Sequence, residues 1–415
     1  MHNYQLTSLS HVTNIQNSKL DQFPLQKGQI ISGKVLYIDQ QNIALLQVNN
    51  QKFLAKLEAP IDVLQNYYFQ VQETVGKIQL KVLENVTNKE SLLTFLQIPN
   101  NKKMNRFIQT WLNTNLPINR SIVHKALQWL QVAKNPESVL QIMKFMHQAN
   151  LPFTNDIFKS LYSFHHGPSI TTLLHHLHIQ LEHLDQHQLY PLIQSLLGKS
   201  NGDLQGVNWG RGDNVHQALL FILNVIGYNA GVQIMNGKDK ATTLKWQIMN
   251  LLQGDKQLSS NLKILAEQLI FKISGGQLQT INNDSFLQCT VALPIPLPEQ
   301  VIDAQIQFRG KKDKNGQLNK DYCQIVFDLM LPNIGKLYAY MNVQNRVITI
   351  QMKSDLPHLE KVSKGLIAQL KKNLAKHGYT LSTIKFEKFQ SQDKINNKHE
   401  KLPIYHSFRN VDVKI

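Results

Sequence analysis

Between Tyr322 and Phe386 the chain reads strand, turn, strand, tight turn, strand, long helix, strand, and this order limits what the rest can be. Three runs alternate apolar with polar residues: Cys323 to Leu329, Leu337 to Val343, and Val347 to Met352. Such alternation, rich in β-branched and aromatic residues, marks half-buried strands. Pro332-Asn333-Ile334-Gly335 separates the first two runs, and Gln344-Asn345-Arg346 turns the second into the third, with an asparagine that tolerates a left-handed backbone. The following helix is long and amphipathic: it carries Leu356, Leu359, Val362, Leu366, Leu370 and Leu374 on one stripe, with Lys361, Lys364, Lys371 and Lys372 largely off it. His377-Gly378 ends it, and Tyr379 to Phe386 returns as a strand.

The residues Phe327-Asp-Leu329-Met-Leu-Pro332-Asn-Ile334-Gly335-Lys-Leu337-Tyr-Ala339 and Leu370-Lys-Lys-Asn-Leu374-Ala-Lys-His-Gly378-Tyr379 resemble the C-terminal domain of flagellar hook-length control proteins. Pro332, Gly335 and Gly378 are the distinctive matches, and the resemblance covers about the last quarter of the chain. It implies a domain that contacts the cytoplasmic switch protein of a type III export gate. On that basis Pro332, Asn333, Ile334, Gly335 and Lys336, an exposed turn at a sheet end, are expected to bind the partner, with Lys361, Lys364 and Lys371 steering it. Turn geometry alone also accounts for Pro332 and Gly335. The N-terminal half of that family is secreted and unstructured, and acts as a ruler. Here the preceding residues read as folded, so a resident protein that keeps the C-terminal domain is expected.

That folded reading comes from the periodicity ahead of the domain. Residues 1–26 are polar and are expected to form a mobile arm. From Gly28 to Val82, five short runs separated by tight turns predict a small β-barrel of oligonucleotide-binding or S1-like type, over 27–87. From Asn88 the period becomes helical, and 88–275 is expected to be one irregular helical domain, with Ser274-Gly275-Gly276 as the break before the β region. Phe286 to Pro294 and Gln300 to Arg309 are two more strands, and Leu293-Pro-Ile-Pro-Leu-Pro298 cannot sit in a central strand. The C-terminal α+β domain, 285–389, then has a mixed sheet and one long helix. Residues 390–415 are a polar linker and a terminal strand. The whole is a multidomain α+β chain.

The net charge of +16 points to acidic partners, and 20 Lys and Arg stand against 10 Asp and Glu from residue 301 onward. Nucleic acid is therefore the alternative partner, through the barrel: Lys34, Tyr37, Lys52, Phe53 and Lys56 are the basic and aromatic residues available. Phe53 and Phe69 fit a core position as well. The abundant Gln and Asn follow apolar periodicity rather than forming a low-complexity tract.

No chemistry-bearing constellation stands out. Cys289 and Cys323 lack metal-ligand spacing and sit in predicted strands, which fits small core thiols in a reducing compartment. His165, His166, His175, His176, His178, His183 and His187 cluster, but no cysteine joins them and Leu184 follows His183 where a zinc-protease motif needs a carboxylate. Gly210-Arg211-Gly212-Asp213 reads as a loop, with Asp213 or Asn214 capping the next helix. Gly202 to Gly212 lacks the Gly-Lys-Ser/Thr ending of a phosphate loop, and no nucleophile–base pair appears. The expectation is a non-enzymatic, cytoplasmic interaction protein without cofactor, metal or membrane span.

Overall fold

The computed structural model describes residues 3–5, 28–40, 43–48, 51–56, 61–74, 77–83, 86, 88–114, 116–133, 135–182, 189–199, 204, 212–228, 243–254, 258–282, 286–298, 300–314 and 316–389. It is a mixed α+β chain that divides into two compact units, Met1–Asn155 and Asp156–Ile415. The helical stretch read from the sequence as one domain is shared between them. Residues 390–415 lie outside the described residues.

The first unit opens with strands β1 (Asn3–Gln5), β2 (Ile30–Ile38), β3 (Ile43–Val48), β4 (Gln51–Lys56), β5 (Asn66–Thr74) and β6 (Lys77–Val82). The last five are antiparallel neighbours in the order β4-β3-β2-β5-β6. Residues 3–5, inside the stretch expected to be an arm, are instead a strand whose backbone pairs with β6 and, at Gln5, with Lys56 of β4. Alternation drives the packing: Val35, Ala44, Leu46, Val48, Phe69, Val71 and Leu80 point to one side and are buried. Four helices follow: α1 (Lys89–Leu96), α2 (Lys102–Leu112), α3 (Arg120–Val132) and α4 (Pro136–Gln148). The asparagine richness has a local purpose here. Asn88, Asn101, Asn119 and Asn135 each cap one of these helices, the side-chain oxygen accepting from a backbone N–H of the first turn. Each such cap is worth about 1 kcal/mol.

The second unit begins with α5 (Asn155–His166), α6 (Ile170–Leu181), α7 (Leu189–Leu196), α8 (Gly212–Ile226), α9 (Leu244–Gly254) and α10 (Ser260–Leu278). Ser274, Gly275 and Gly276 do not separate helix from sheet; they lie inside α10. A Cβ on Gly275 would stand 2.2 Å from the Ser160 carbonyl oxygen, so glycine is needed for α10 to cross α5. Asp213 and Asn214 likewise fall within α8 rather than ahead of it. The Gly-rich loop lies outside the described residues, Leu204 and Gly212 excepted.

The sheet comprises β7 (Ile281–Asn282), β8 (Phe286–Pro296), β9 (Val301–Lys312), β10 (Leu318–Leu331), β11 (Gly335–Gln344), β12 (Val347–Ser354) and β13 (Thr380–Glu387), in the order β13-β12-β11-β10-β9-β8-β7. Neighbours are antiparallel except β12 and β13, which are parallel and joined by α11 (Leu359–Lys376). A parallel pair needs such a crossover. Pro294 and Pro296 are in β8, which among the described residues pairs with β7 only at Leu287 and Gln288 and is otherwise an edge. The Ala292 N–H points away from β9 and donates to the Tyr228 hydroxyl at 3.3 Å. Pro294 and Pro296 share that parity, so no ladder bond is lost. Helices α6 to α10 and strands β8 and β9 share one core, including Leu177, Ile193, Ile222, Ile248, Leu269, Val291 and Ile306.

Candidate functional site

The register assigns each expected partner-binding residue to an end of the sheet. Leu331 pairs with Gly335 and Leu337 with Ser354, so the β10–β11 turn shares an end with the start of α11. Pro332 and Asn333 are exposed there, Ile334 is half-buried, and Gly335 takes φ +73°, a left-handed value that glycine adopts without strain. Lys336 reaches Asp328 at 3.2 Å, an exposed pair worth ~1 kcal/mol or less. Lys361 and Lys364, in the first turns of α11, are exposed at this same end. Lys371 belongs to the other end, because α11 runs back to β13, whose Thr380 pairs with Val347.

At that second end the Asn345-Arg346 turn has φ values of 49° and 61°, both left-handed. The Arg346 guanidinium pairs with Asp321 at 2.7 Å and sits over the Tyr379 ring, 5.7 Å from its centroid. Lys311, Lys314, Lys320, Lys372 and Lys376 are exposed around it.

The helix buries little of its apolar stripe. Of its 18 residues only Leu359 is buried. Val362 is 67% and Leu366 66% exposed, and Leu370 is exposed as well. The stripe is therefore split: Leu359, Ser363, Ile367 and Leu374 turn toward the sheet, and Val362 and Leu366 lie on a flank that nothing covers among the described residues. Sequence periodicity cannot make this distinction, because a stripe predicts an apolar face and not the width that the sheet will cover.

Beneath α11 one face of the sheet is apolar from edge to edge. Phe327 pairs with Ala339, Ala339 with Met352, and Met352 with Phe386, all on the face that carries Val343, Ile348 and Leu381. These middle residues are only half-buried. The opposite face is polar: Arg309 donates to Gln324, Gln324 to Asn342 at 3.2 Å, and Gln351 to Glu387 at 2.7 Å. The half-exposed apolar rows were missed in the sequence. The signal for them is three successive alternating strands followed by a single helix.

In the first unit a β-bulge between Val35 and Tyr37 puts Lys34 and Tyr37 on the same outer face, although they are three residues apart. Lys34 pairs with Gln47, and Gln47 with Lys52, so the two lysines flank one row; both are exposed, and Tyr37 is 60% exposed. Phe53 and Lys56 are placed by their backbone in β4, opposite Leu46 and Ile43, and their side chains lie outside the described residues. Phe69 is fully buried in the core.

The histidines separate. His165 is buried against Gln279, and burial, with His166 and Lys272 nearby, lowers its pKa to about 3. His175 and His178 are also shifted down, first by burial. His183 and His187 lie outside the described residues. Among the described residues no group of three or more His, Cys, Asp and Glu is placed to hold a metal ion. Burial pushes both cysteine thiols up, Asp321 adding to the effect at Cys323, which disfavours the nucleophilic thiolate. No helix is long and apolar enough to cross a membrane, among the described residues.

Over 161 residues the chain is 25% identical to the uncharacterized protein YlqG of Bacillus subtilis (strain 168). The match takes in 39% of this chain and 27% of that relative, so the chain spans well under a third of the relative's length. No family model matches the chain, and no solved structure matches it.

Proposed function

We propose that the protein is a non-enzymatic, cytoplasmic interaction protein whose C-terminal α+β domain, related to that of flagellar hook-length control proteins, binds a switch-type domain of a type III export gate. The observation that carries this reading is α11, an 18-residue helix that buries one residue and leaves Val362 and Leu366 in solvent. An apolar stripe kept uncovered beside lysines is the composition of a binding face. Pro332 and Asn333 extend that face at the end of the sheet where Lys361 and Lys364 lie. Lys371, at the far end, contributes to long-range steering.

The test is capture of a purified switch-type domain by the full chain. Wild type is expected to retain it, and Asn333→Ala combined with Lys361→Glu and Lys364→Glu to lose about tenfold in affinity. Undiminished capture by the triple variant removes this surface from the site.

A second reading is favoured by one observation, the bulge that brings Lys34 and Tyr37 to the outer face beside Lys52. In this reading the N-terminal strands form a small barrel of oligonucleotide-binding type, and a single-stranded nucleic acid lies across β2, β3 and β4, with a base stacked on Tyr37. Retardation of a labelled single-stranded oligonucleotide that falls steeply with salt and is lost in Tyr37→Ala supports it. Equal retardation by that variant excludes it.

A further inference from the structure

We propose that the apolar face of the sheet between the helical layer and α11 is a groove that takes one amphipathic, acidic helix of a partner protein. The proposal rests on the partner-binding reading above and specifies how that partner is held.

The floor is set by register. Phe327, Ala339 and Met352 form one cross-strand row, and Met341 stands in the next row on the same face. Val291 and Ile306 of β8 and β9 belong to this face too, and there the helical layer covers them. On the other side α11 lies on β13, with Leu374 packed against the cluster of Cys323, Val343, Ile348 and Leu381. Between the two, Phe327 of β10, Ala339 and Met341 of β11, and Ile350 and Met352 of β12 stay half-buried, whereas Cys323, Leu337, Val343 and Ile348 on the same face are buried. Strands are about 4.8 Å apart and packed helices about 8–10 Å, so the uncovered width corresponds to about one helix.

The wall is α11. At 3.6 residues per turn, Val362 and Leu366 lie on one flank of the sheet-facing line, and Lys364 and Lys371 on the other. Parallel β–α–β crossovers are right-handed in nearly all proteins. In that hand the flank with Val362 and Leu366 is the one turned toward β11 and β10. Asn373, on the same flank, is half-buried. The exposed apolar stripe of α11 and the half-exposed floor thus face one space.

Charge selects the occupant. The floor residues are uncharged, and Lys361, Lys372 and Lys376 follow the upper surface of α11. A segment seated here has to be apolar below and acidic at its rim. A second copy of a chain with a net charge of +16 fits poorly. An amphipathic helix lays its apolar face into such a groove, and aspartates or glutamates along its sides meet the lysines.

The probe is a synthetic amphipathic Leu/Glu peptide of about 20 residues, long enough to span the sheet as a helix, with a scrambled peptide of equal composition as control. Binding to the full-length protein is followed by fluorescence anisotropy, and peptide helicity by circular dichroism. Wild type is expected to bind the amphipathic peptide and raise its helicity. Ala339→Trp, which fills the floor, and Leu366→Asp, which charges the wall, are each expected to weaken it about tenfold. Leu366→Asp changes an exposed side chain, so it keeps the test decisive where Ala339→Trp misfolds. Equal binding of the scrambled peptide, no binding of either peptide, or Leu366→Asp within about twofold of wild type overturns the proposal. So do a wild-type dimer that Leu366→Asp converts to monomer, which assigns the face to a second copy, and tighter peptide binding by Phe408→Ala, which assigns it to the chain's own 390–415 stretch. Failure here with capture of the switch-type domain intact sinks the groove alone.

Discussion

The α-carbon of Gly275 in α10 faces the carbonyl oxygen of Ser160 in α5 so closely that a methyl group there would stand 2.2 Å from it and 2.6 Å from the Phe164 Cβ. Alanine is normally the better helix former by about 1 kcal/mol. At this crossing the backbones must separate to admit it, and overpacking costs about 1–3 kcal/mol or more. Gly275→Ala is therefore expected to lower the urea midpoint, with a net loss of about 2 kcal/mol. A midpoint at or above wild type removes the close-crossing argument.

The same crossing holds a buried lysine. Lys272 of α10 donates to the carbonyls of Phe164 at 2.8 Å, Ser163 at 3.1 Å and Gly167 at 3.3 Å, at the C-terminus of α5. A cation there satisfies helix-end carbonyls and meets the negative end of the dipole. Lys272→Met keeps the stem and removes the donors. The Ser163 carbonyl keeps the Gly167 N–H at 3.0 Å, but the Phe164 and Gly167 carbonyls lose a buried donor, at a cost of about 1–3 kcal/mol, partly offset because the charge no longer has to be desolvated. Thermal unfolding is expected to show a lower Tm. An unchanged Tm means that water or neighbouring groups replace the ammonium.

How much of this was legible in the sequence depends on what each signal reports. The strands from Ile30 to Val82 and from Phe286 to Glu387 follow from alternation, and the Asn345-Arg346 turn and the Gly378 stop from local backbone chemistry. Ser274 to Gly276 was misread as a break because a local breaker signal cannot report a long-range contact, here with a residue more than a hundred positions away. Pro294 and Pro296 fit an edge whose outer partner, Tyr228, comes from another element. Of the candidate site, the Pro332–Gly335 turn and the lysines were visible as residue types. That Lys371 lies at the opposite end from Lys361, and that Val362 and Leu366 face solvent, required the sheet order and the crossover.

The split stripe of α11 gives a stability test that does not depend on any partner. Leu359 is 8% exposed, so Leu359→Ala is expected to cost about 2–3 kcal/mol. Leu366→Asp, at 66% exposure, should fall within about 0.5 kcal/mol of wild type. Urea titrations of the two variants separate a docking surface from a core face. Equal, large losses would place Leu366 in the core and end its use as a recognition residue.

Acid stability follows from His165. Its folded pKa of about 3 lies below the ordinary imidazole value of 6.5, chiefly through burial, with His166 and Lys272 adding to it. The unfolded state therefore binds a proton that the folded state refuses between those two values. The stabilisation is complete above pH 6.5, and is lost as pH falls from 6.5 toward 3, with a limiting slope of about 1.4 kcal/mol per pH unit. His175 and His178 shift in the same direction and add to the trend, so the comparison has to be with a variant. His165→Gln retains a side chain able to bond to Gln279 but cannot titrate. It is expected to be less stable than wild type at pH 7 because the packing is altered, and to lose stability less steeply between pH 6 and 4, as read from urea midpoints across that range. Parallel pH profiles for the two proteins would show that the buried imidazole is not what makes the fold acid-sensitive.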